Sequence, residues 1–166
     1  MIRHLAVAFG MLWFGIAQPA HAQNIPDAHF ADAIRVNCPA CIDVNNNLTA
    51  SAVNLDTLDV SNSDIASLTG IGGFSELKVL KCGSNQLTVM PTLPSGLEYL
   101  NCDFNPLSAL PALPAGLTNL YCFQNELISL PVLPNSLINL DCSFNPLGLL
   151  PSLPNGLKFL DCSGCE

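Results

Sequence analysis

Positive charge is scarce in this chain. It has 5 lysine and arginine residues against 13 aspartate and glutamate residues, and its formal net charge is −8. Beyond the N-terminal stretch the basic residues are Arg35, Lys78, Lys81 and Lys158, too scattered to form a patch. A nucleic-acid site needs clustered lysine or arginine side chains to neutralise phosphates. The sequence therefore predicts no nucleic-acid partner.

Histidine and catalytic motifs are also scarce. Of 3 histidines, only His29 lies outside the first 22 residues, and no paired nucleophile accompanies it. The chain has no G-x-S-x-G motif, no H-E-x-x-H motif and no phosphate-binding glycine loop. Asp103, Asp141 and Asp161 recur beside cysteines, but the repeat described below already explains them as solvent-facing positions. We therefore expect neither catalysis nor a cofactor.

Long hydrophobic runs are missing except near the N-terminus. Arg3 and His4 precede an apolar run, Leu5–Ala17, and Ala20-His21-Ala22 follows as a small-x-small cleavage signature. The run of about thirteen residues is shorter than the roughly 20 needed to span a bilayer. Proline interrupts every later apolar run. The sequence predicts a signal peptide over residues 1–22, a secreted or cell-surface protein, and no membrane-spanning segment.

The dominant feature of the chain is a 20-residue repeat, L-x-x-L-x-C-x-x-N-x-L-x-x-L-P-x-L-P-x-x. Its units begin at Leu77, Leu97, Leu117, Leu137 and Leu157. A looser unit of 22 residues, without the prolines, begins at Leu55. We predict that residues 55–166 form one solenoid, with five whole coils from Leu55 to Gly156 and a partial sixth.

The spacing within the repeat predicts where each side chain lies. Leu80 and Cys82 are two residues apart, so both point to the same face of a short strand. Stacked coils then form a parallel sheet with strands about 4.8 Å apart, and leucine and cysteine columns fill the interior. The recurrent asparagine is expected to bond backbone groups of its own and the neighbouring coil. Prolines exclude an α-helix on the convex side, where leucines such as Leu110 and Leu113 should turn inward.

The pattern from Leu77 to Cys162 resembles bacterial leucine-rich repeats of the short L-P-x-L-P type, which occur in secreted surface proteins and in effectors delivered into host cells. The first unit, containing L-D-V-S-N-S-D-I-A-S-L-T-G-I, is similar to the 22-residue repeats of internalin-like proteins. The resemblance implies an α/β-type solenoid dominated by short parallel strands: a horseshoe or arc with an extended convex side and a small helical N-terminal cap. It does not identify a ligand, because exposed residues set function in such proteins.

Residues 23–54 are expected to cap the solenoid. Pro26-Asp27 followed by Phe30, Ile34 and Arg35 predicts a short amphipathic helix. The next motif, Cys38-Pro39-Ala40-Cys41, has several interpretations: a redox centre, part of a zinc site, buried thiols or a local disulfide. No βαβ pattern and no second cysteine pair accompany the motif, so we favour the disulfide.

Asp43, Asn45 and Asn47 resemble the opening of an EF-hand calcium loop. Leu48 stands where that loop needs glycine, and Asn54 stands where it needs glutamate. An asparagine-rich turn is therefore favoured over a calcium site.

The cysteines of the repeat are expected to be packed thiols. Strands about 4.8 Å apart hold equivalent Cβ atoms farther apart than the roughly 3.8 Å of a disulfide. Cys165 differs because it occupies the asparagine position of the last coil. Either Cys162 and Cys165 form a terminal disulfide, or Cys165 replaces the amide within the column.

The strand positions that alternate with the inward columns should form a concave surface. Aromatic side chains cluster there among amides and carboxylates, as is typical of protein-binding surfaces. The predicted binding residues are Tyr99, Asn101, Asp103, Asn119, Tyr121, Phe123, Asp141 and Phe159. We predict a protein partner, with a glycan as the alternative ligand. Two other interpretations stay open: an ordinary strand surface without a ligand, and a structural spacer or stalk that self-associates through its ends.

Overall fold

The computed structural model describes residues 23–165, so the predicted signal peptide lies outside the described residues. One α-helix, α1 (Ala28–Asn37), precedes six parallel strands that pair in chain order into one sheet. The strands are β1 (Thr57–Asp59), β2 (Val79–Lys81), β3 (Tyr99–Asn101), β4 (Asn119–Tyr121), β5 (Asn139–Asp141) and β6 (Phe159–Asp161). Short 3-10 helices lie at Pro39–Cys41, Ala50–Asn54 and Ile71–Gly73. None of the helices in this range is long and apolar enough to cross a bilayer.

The strands β1 to β5 each turn their central leucine into the core, whereas the equivalent Leu160 of β6 is 38% exposed. The strand register aligns Leu100 with Leu80 on one side and with Leu120 on the other. These leucines are fully buried, and complete burial of such a side chain is worth about 1.5–3 kcal/mol. The parallel-strand solenoid predicted from the repeat is confirmed.

The asparagines of the second to fifth coils each join two coils, as predicted. The Nδ2 group of Asn105 donates to the carbonyls of Cys82 and Cys102, both at 3.1 Å, and its Oδ1 accepts the N–H of Leu87 at 3.0 Å. Asn125 and Asn145 repeat this arrangement one and two coils later. These buried amides satisfy backbone groups where the chain leaves each strand.

The column cysteines are packed thiols, in agreement with the sequence. Cys82, Cys102, Cys122 and Cys142 are buried and free. Each thiol points to a carbonyl of the next coil; the Sγ of Cys82, for example, donates to the Asn101 carbonyl at 3.3 Å.

The terminal disulfide between Cys162 and Cys165 is not formed, which corrects the first of the two alternatives for this pair. Cys165 occupies the amide position instead, and its Sγ donates to the Cys142 carbonyl at 3.3 Å. The thiol is thereby used in the hydrogen-bonded column rather than in a covalent bond with Cys162.

The convex side is extended, as the prolines require. No α-helix occurs in the repeats within the described residues. Each of the four proline-bearing coils instead closes with a turn in which the N–H of the next leucine donates to a proline carbonyl, as Leu117 does to Pro114 at 3.1 Å. Leu110 is buried and Leu113 is half-buried, so both turn inward as predicted. Leu153, on the convex side of the fifth coil, is 43% exposed because no convex segment of a following coil covers it within the described residues.

The cap packs directly on the first coil. Phe30 and Ile34 of α1 are buried in a hydrophobic cluster that continues through the repeats. Gly70 has a φ of +104°, and a Cβ there would clash with Cδ1 of Ile25, so only glycine fits this contact. The Cys38–Cys41 disulfide is present, which confirms the favoured interpretation of that motif.

Candidate binding face

We define the concave face by three positions of each coil: the first and third residues of the strand, and the residue after the column cysteine. These positions alternate with the buried leucine and cysteine, so their side chains point outward. All eight predicted binding residues lie on this face and are at least partly exposed: Tyr99, Asn101, Asp103, Asn119, Tyr121, Phe123, Asp141 and Phe159.

Aromatic rings form two groups on or beside the face. Tyr99 and Tyr121 lie in adjacent coils with ring centroids 5.4 Å apart. Phe123 lies between two further rings, Phe104 at 4.8 Å and Phe144 at 5.5 Å, in edge-to-face geometry. We call Phe104, Phe123 and Phe144 the phenylalanine row. Rings at these distances support each other and present a continuous apolar surface over three coils.

Phe104 and Phe144 were missed by the reasoning from sequence. They precede the column asparagines, where the chain has left the strand, and their φ values are +53° and +54°. This left-handed backbone ends the period-two alternation, so the strand pattern does not assign their side chains to a face. Their exposed fractions are 47% and 58%. One signal was available: the triplet F-N-P recurs at 104–106 and 144–146, in every second coil.

Asp103 is held in one orientation by neighbours on two coils. Its Oδ1 accepts the backbone N–H of Phe123 at 2.7 Å, and its Oδ2 accepts the Nδ2 group of Asn101, also at 2.7 Å. Burial raises the pKa of this carboxyl, and the two hydrogen bonds oppose that change. The side-chain amide of Asn139 similarly donates to Asn119 across adjacent strands.

Asp141 and Asp161 form a pair of fixed carboxylates on neighbouring strands. The register aligns them directly, which places their backbones about 4.8 Å apart. Oδ1 of Asp141 accepts the backbone N–H of Ser143 at 3.1 Å and its hydroxyl at 2.5 Å. Ser163 does the same for Asp161, at 2.9 and 2.7 Å, and its N–H lowers the pKa of Asp161. Oδ2 of each carboxylate accepts no hydrogen bond from the described residues.

Phe159 is not brought into the aromatic groups. It is 48% exposed on β6, in register with Asn139, and joins none of the three ring pairs found among residues 23–165. The predicted site thus divides into an aromatic centre on β3, β4 and the turns beside them, and a more polar region on β5 and β6.

The calcium-loop candidate residues bond their own turn. Oδ1 of Asp43 accepts the backbone N–H groups of Asn45 and Asn47, both at 2.8 Å, and this bonding lowers the pKa of Asp43. The side-chain oxygen of Asn47 accepts from Asn24 at 3.2 Å. These contacts are those of the asparagine-rich turn that the sequence favoured.

The solved structures that match the chain include bacterial leucine-rich-repeat proteins. No protein-family model and no curated protein sequence matches it. The leucine-rich-repeat domain of a Shigella effector matches with a TM-score of 0.70 and 34% identity over 84% of this chain and 59% of that one. The functional domain of InlJ from Listeria monocytogenes, whose description includes a cysteine ladder, gives a TM-score of 0.72 and 31% identity over 82% and 31%. YopM from Yersinia enterocolitica gives a TM-score of 0.54 and 38% identity over 68% and 29%.

These likenesses establish a leucine-rich-repeat fold similar to the folds of these bacterial proteins. The chain spans 59% of the Shigella domain and about a third of each of the other two chains.

Proposed function

We propose that this chain is a protein-recognition module that binds a partner through its concave face and catalyses no reaction. The observation that carries the proposal is the cluster of partly or fully exposed rings, Tyr99, Tyr121 and the phenylalanine row, on a sheet whose strands are fixed by the core behind them. Aromatic side chains amid polar neighbours are enriched at protein interfaces and at their energetic centres. A rigid sheet also loses little conformational freedom when it binds.

The likeness to effector and internalin domains supports this proposal. We extend it to the organisation of the chain: a signal peptide over residues 1–22, a cap over residues 23–54 and a recognition solenoid over residues 55–166. Export would bring the concave face into contact with partners outside the producing cell.

The proposal is tested by capture of a partner on the immobilised protein from host-cell and bacterial-envelope extracts. The double variant Tyr121→Ala/Phe123→Ala removes one ring from each aromatic group. We expect it to lose the captured partner, because interface residues of this kind often contribute 2 kcal/mol or more, about thirtyfold in affinity. The matched control is Ile128→Ala/Val132→Ala, which truncates apolar side chains that are 69% and 87% exposed away from the face.

Other outcomes assign other functions. A partner retained by Tyr121→Ala/Phe123→Ala but lost by Ile128→Ala/Val132→Ala would place binding outside the concave face. Capture that disappears when the extract is deglycosylated would identify a glycan ligand. No partner, together with concentration-dependent oligomers in sedimentation, would favour the spacer or stalk. Circular dichroism of each variant shows whether it keeps the parent fold.

A further inference from the structure

The concave face is negatively charged where its aromatic side chains lie. From β3 to β6 its charged residues are Asp103, Asp141 and Asp161, and none of them takes part in the three ion pairs of residues 23–165. The one cation on the face, Lys81 on β2, lies 3.7 Å from Asp59. The described residues thus supply no cation to the carboxylates of the last four strands.

The Asp141–Asp161 pair presents two carboxylate oxygens that accept no hydrogen bond from the described residues. The serine hydrogen bonds fix Oδ1 of each carboxylate and leave both Oδ2 atoms without a donor from the described residues. A cation that bonds both Oδ2 atoms would neutralise two carboxylates carried on adjacent strands. A guanidinium, with donors spread over a planar fork, can bond two carboxylates at once.

Tyr121 provides an aromatic wall beside this pair. The register places Tyr121 next to Asp141 on the adjacent strand, so the order along the face is Tyr121, Asp141 and Asp161. A guanidinium or ammonium group over a tyrosine ring is attracted by the ring's negative face. Tyr99 supports Tyr121 from the other side at 5.4 Å, which restricts the ring's movement.

We infer that the concave face binds an arginine- or lysine-bearing segment of a partner protein, with a cationic side chain held between Tyr121 and the carboxylates of Asp141 and Asp161. The apolar parts of the same segment lie against the phenylalanine row. This inference rests on the proposed function and adds the chemistry of the partner to it. Attraction between an acidic face and a basic segment also accelerates association at low ionic strength.

The test uses short fluorescein-labelled peptides that alternate glycine with arginine, lysine, serine or glutamate. Fluorescence anisotropy with the full chain measures the affinity of each at low and at physiological ionic strength. We expect the arginine and lysine peptides to bind, more weakly as salt increases, and the serine and glutamate peptides not to bind. The variant Asp141→Asn/Asp161→Asn should weaken arginine-peptide binding about tenfold or more, and Tyr121→Leu should weaken it severalfold.

The matched control is Asp32→Asn/Glu76→Gln, which removes the same two charges from exposed sites outside the face. An equal loss of affinity in the control would show that net charge alone attracts the peptide, and would overturn the inference. Equal binding of the serine peptide, or no binding of any basic peptide, would overturn it as well. The partner captured through Tyr121 and Phe123 is then tested for binding to Asp141→Asn/Asp161→Asn. Binding as tight as to the parent would support the proposed recognition function and overturn the inference that the partner's binding segment is basic.

Discussion

At the residue scale, a cysteine, Cys165, takes the place of the column asparagine in the sixth coil. Asn145 uses its amide to donate to backbone carbonyls of two coils and to accept the N–H of Leu127 at 3.0 Å. Cys165 donates only one bond, to Cys142, and lacks the oxygen that would accept the N–H of Leu147. That N–H turns to the carbonyl of Asn145 at 2.8 Å instead.

The substitution Cys165→Asn should therefore stabilise the protein. An amide at this position restores an acceptor for Leu147 and further donors to backbone carbonyls, and each net hydrogen bond is worth about 0.5–1.5 kcal/mol. We expect the free energy of unfolding to rise by about 1–2 kcal/mol in urea denaturation. The reverse exchange, Asn145→Cys, is the matched control. It should lower the free energy of unfolding by more than Cys165→Asn raises it, because it leaves buried backbone groups unbonded. A Cys165→Asn variant no more stable than the parent would contradict this account.

At the scale of elements, one aspartate both starts α1 and attaches it to the solenoid. Oδ1 of Asp27 accepts the N–H of Phe30 at 2.9 Å, which caps the helix. Its Oδ2 accepts the N–H groups of Ala66 and Ser67, at 3.0 and 2.9 Å, in the first coil. The cap is thus joined to the repeats by polar contacts as well as by the buried ring of Phe30.

We predict that Asp27→Ala lowers the free energy of unfolding by about 1–3 kcal/mol, from the lost N-cap and from the two backbone N–H groups left without an acceptor. Asp27→Asn separates the two roles, because it retains Oδ1 for Phe30 but replaces Oδ2 by an NH₂ group that cannot accept. The free energy of unfolding of Asp27→Asn should lie between that of Asp27→Ala and that of the parent. As a control, Asp32→Ala removes an exposed ion pair with Arg35 and should change stability by less than about 1 kcal/mol. Equal stability of parent and Asp27→Ala in chemical denaturation would refute the double role.

The elements that the sequence predicts well are those governed by periodicity. The leucine, cysteine and asparagine columns follow from spacings of 20 residues, because stacking repeats the same local geometry in every coil. The rings of Phe104 and Phe144 were not foreseen, because their positive φ values belong to a turn and not to a strand. The sequence did not decide the bonding partner of Cys165. A thiol can bond a carbonyl or another sulfur, and spacing alone does not distinguish the two.

At the scale of the whole molecule, one hydrophobic core runs from Ile25 in the cap to Leu147 in the fifth coil. The strands within it contact only their sequence neighbours. In such an array stability is close to a sum of coil and interface contributions, so coils can be removed as units.

We predict that deletion of residues 117–136, one whole coil, leaves a folded but less stable solenoid. Gly116 is then followed by Leu137, which preserves the repeat, while the smaller buried area lowers the urea m-value and the unfolding free energy. The same deletion removes Tyr121 and Phe123 and should abolish partner binding. Deletion of residues 117–126, half a coil, is the control and should unfold the chain because it breaks the strand register. Circular dichroism and urea titration follow both; a whole-coil deletion that fails to fold would contradict the modular account.

The column of buried thiols gives each of the second to fifth coils one cysteine that a labelling reagent reaches only when that coil opens. Burial raises the pKa of Cys82, Cys102 and Cys122, and that of Cys142 to about 12, so a closed coil offers an alkylating reagent neither access nor thiolate. A coil that opens loses both protections at once. Iodoacetamide labelling followed by peptide mass spectrometry can therefore measure the opening rate of each of these four coils separately. Labels that appear in order along the chain would reveal fraying from one end, and simultaneous labels would reveal a single cooperative unit.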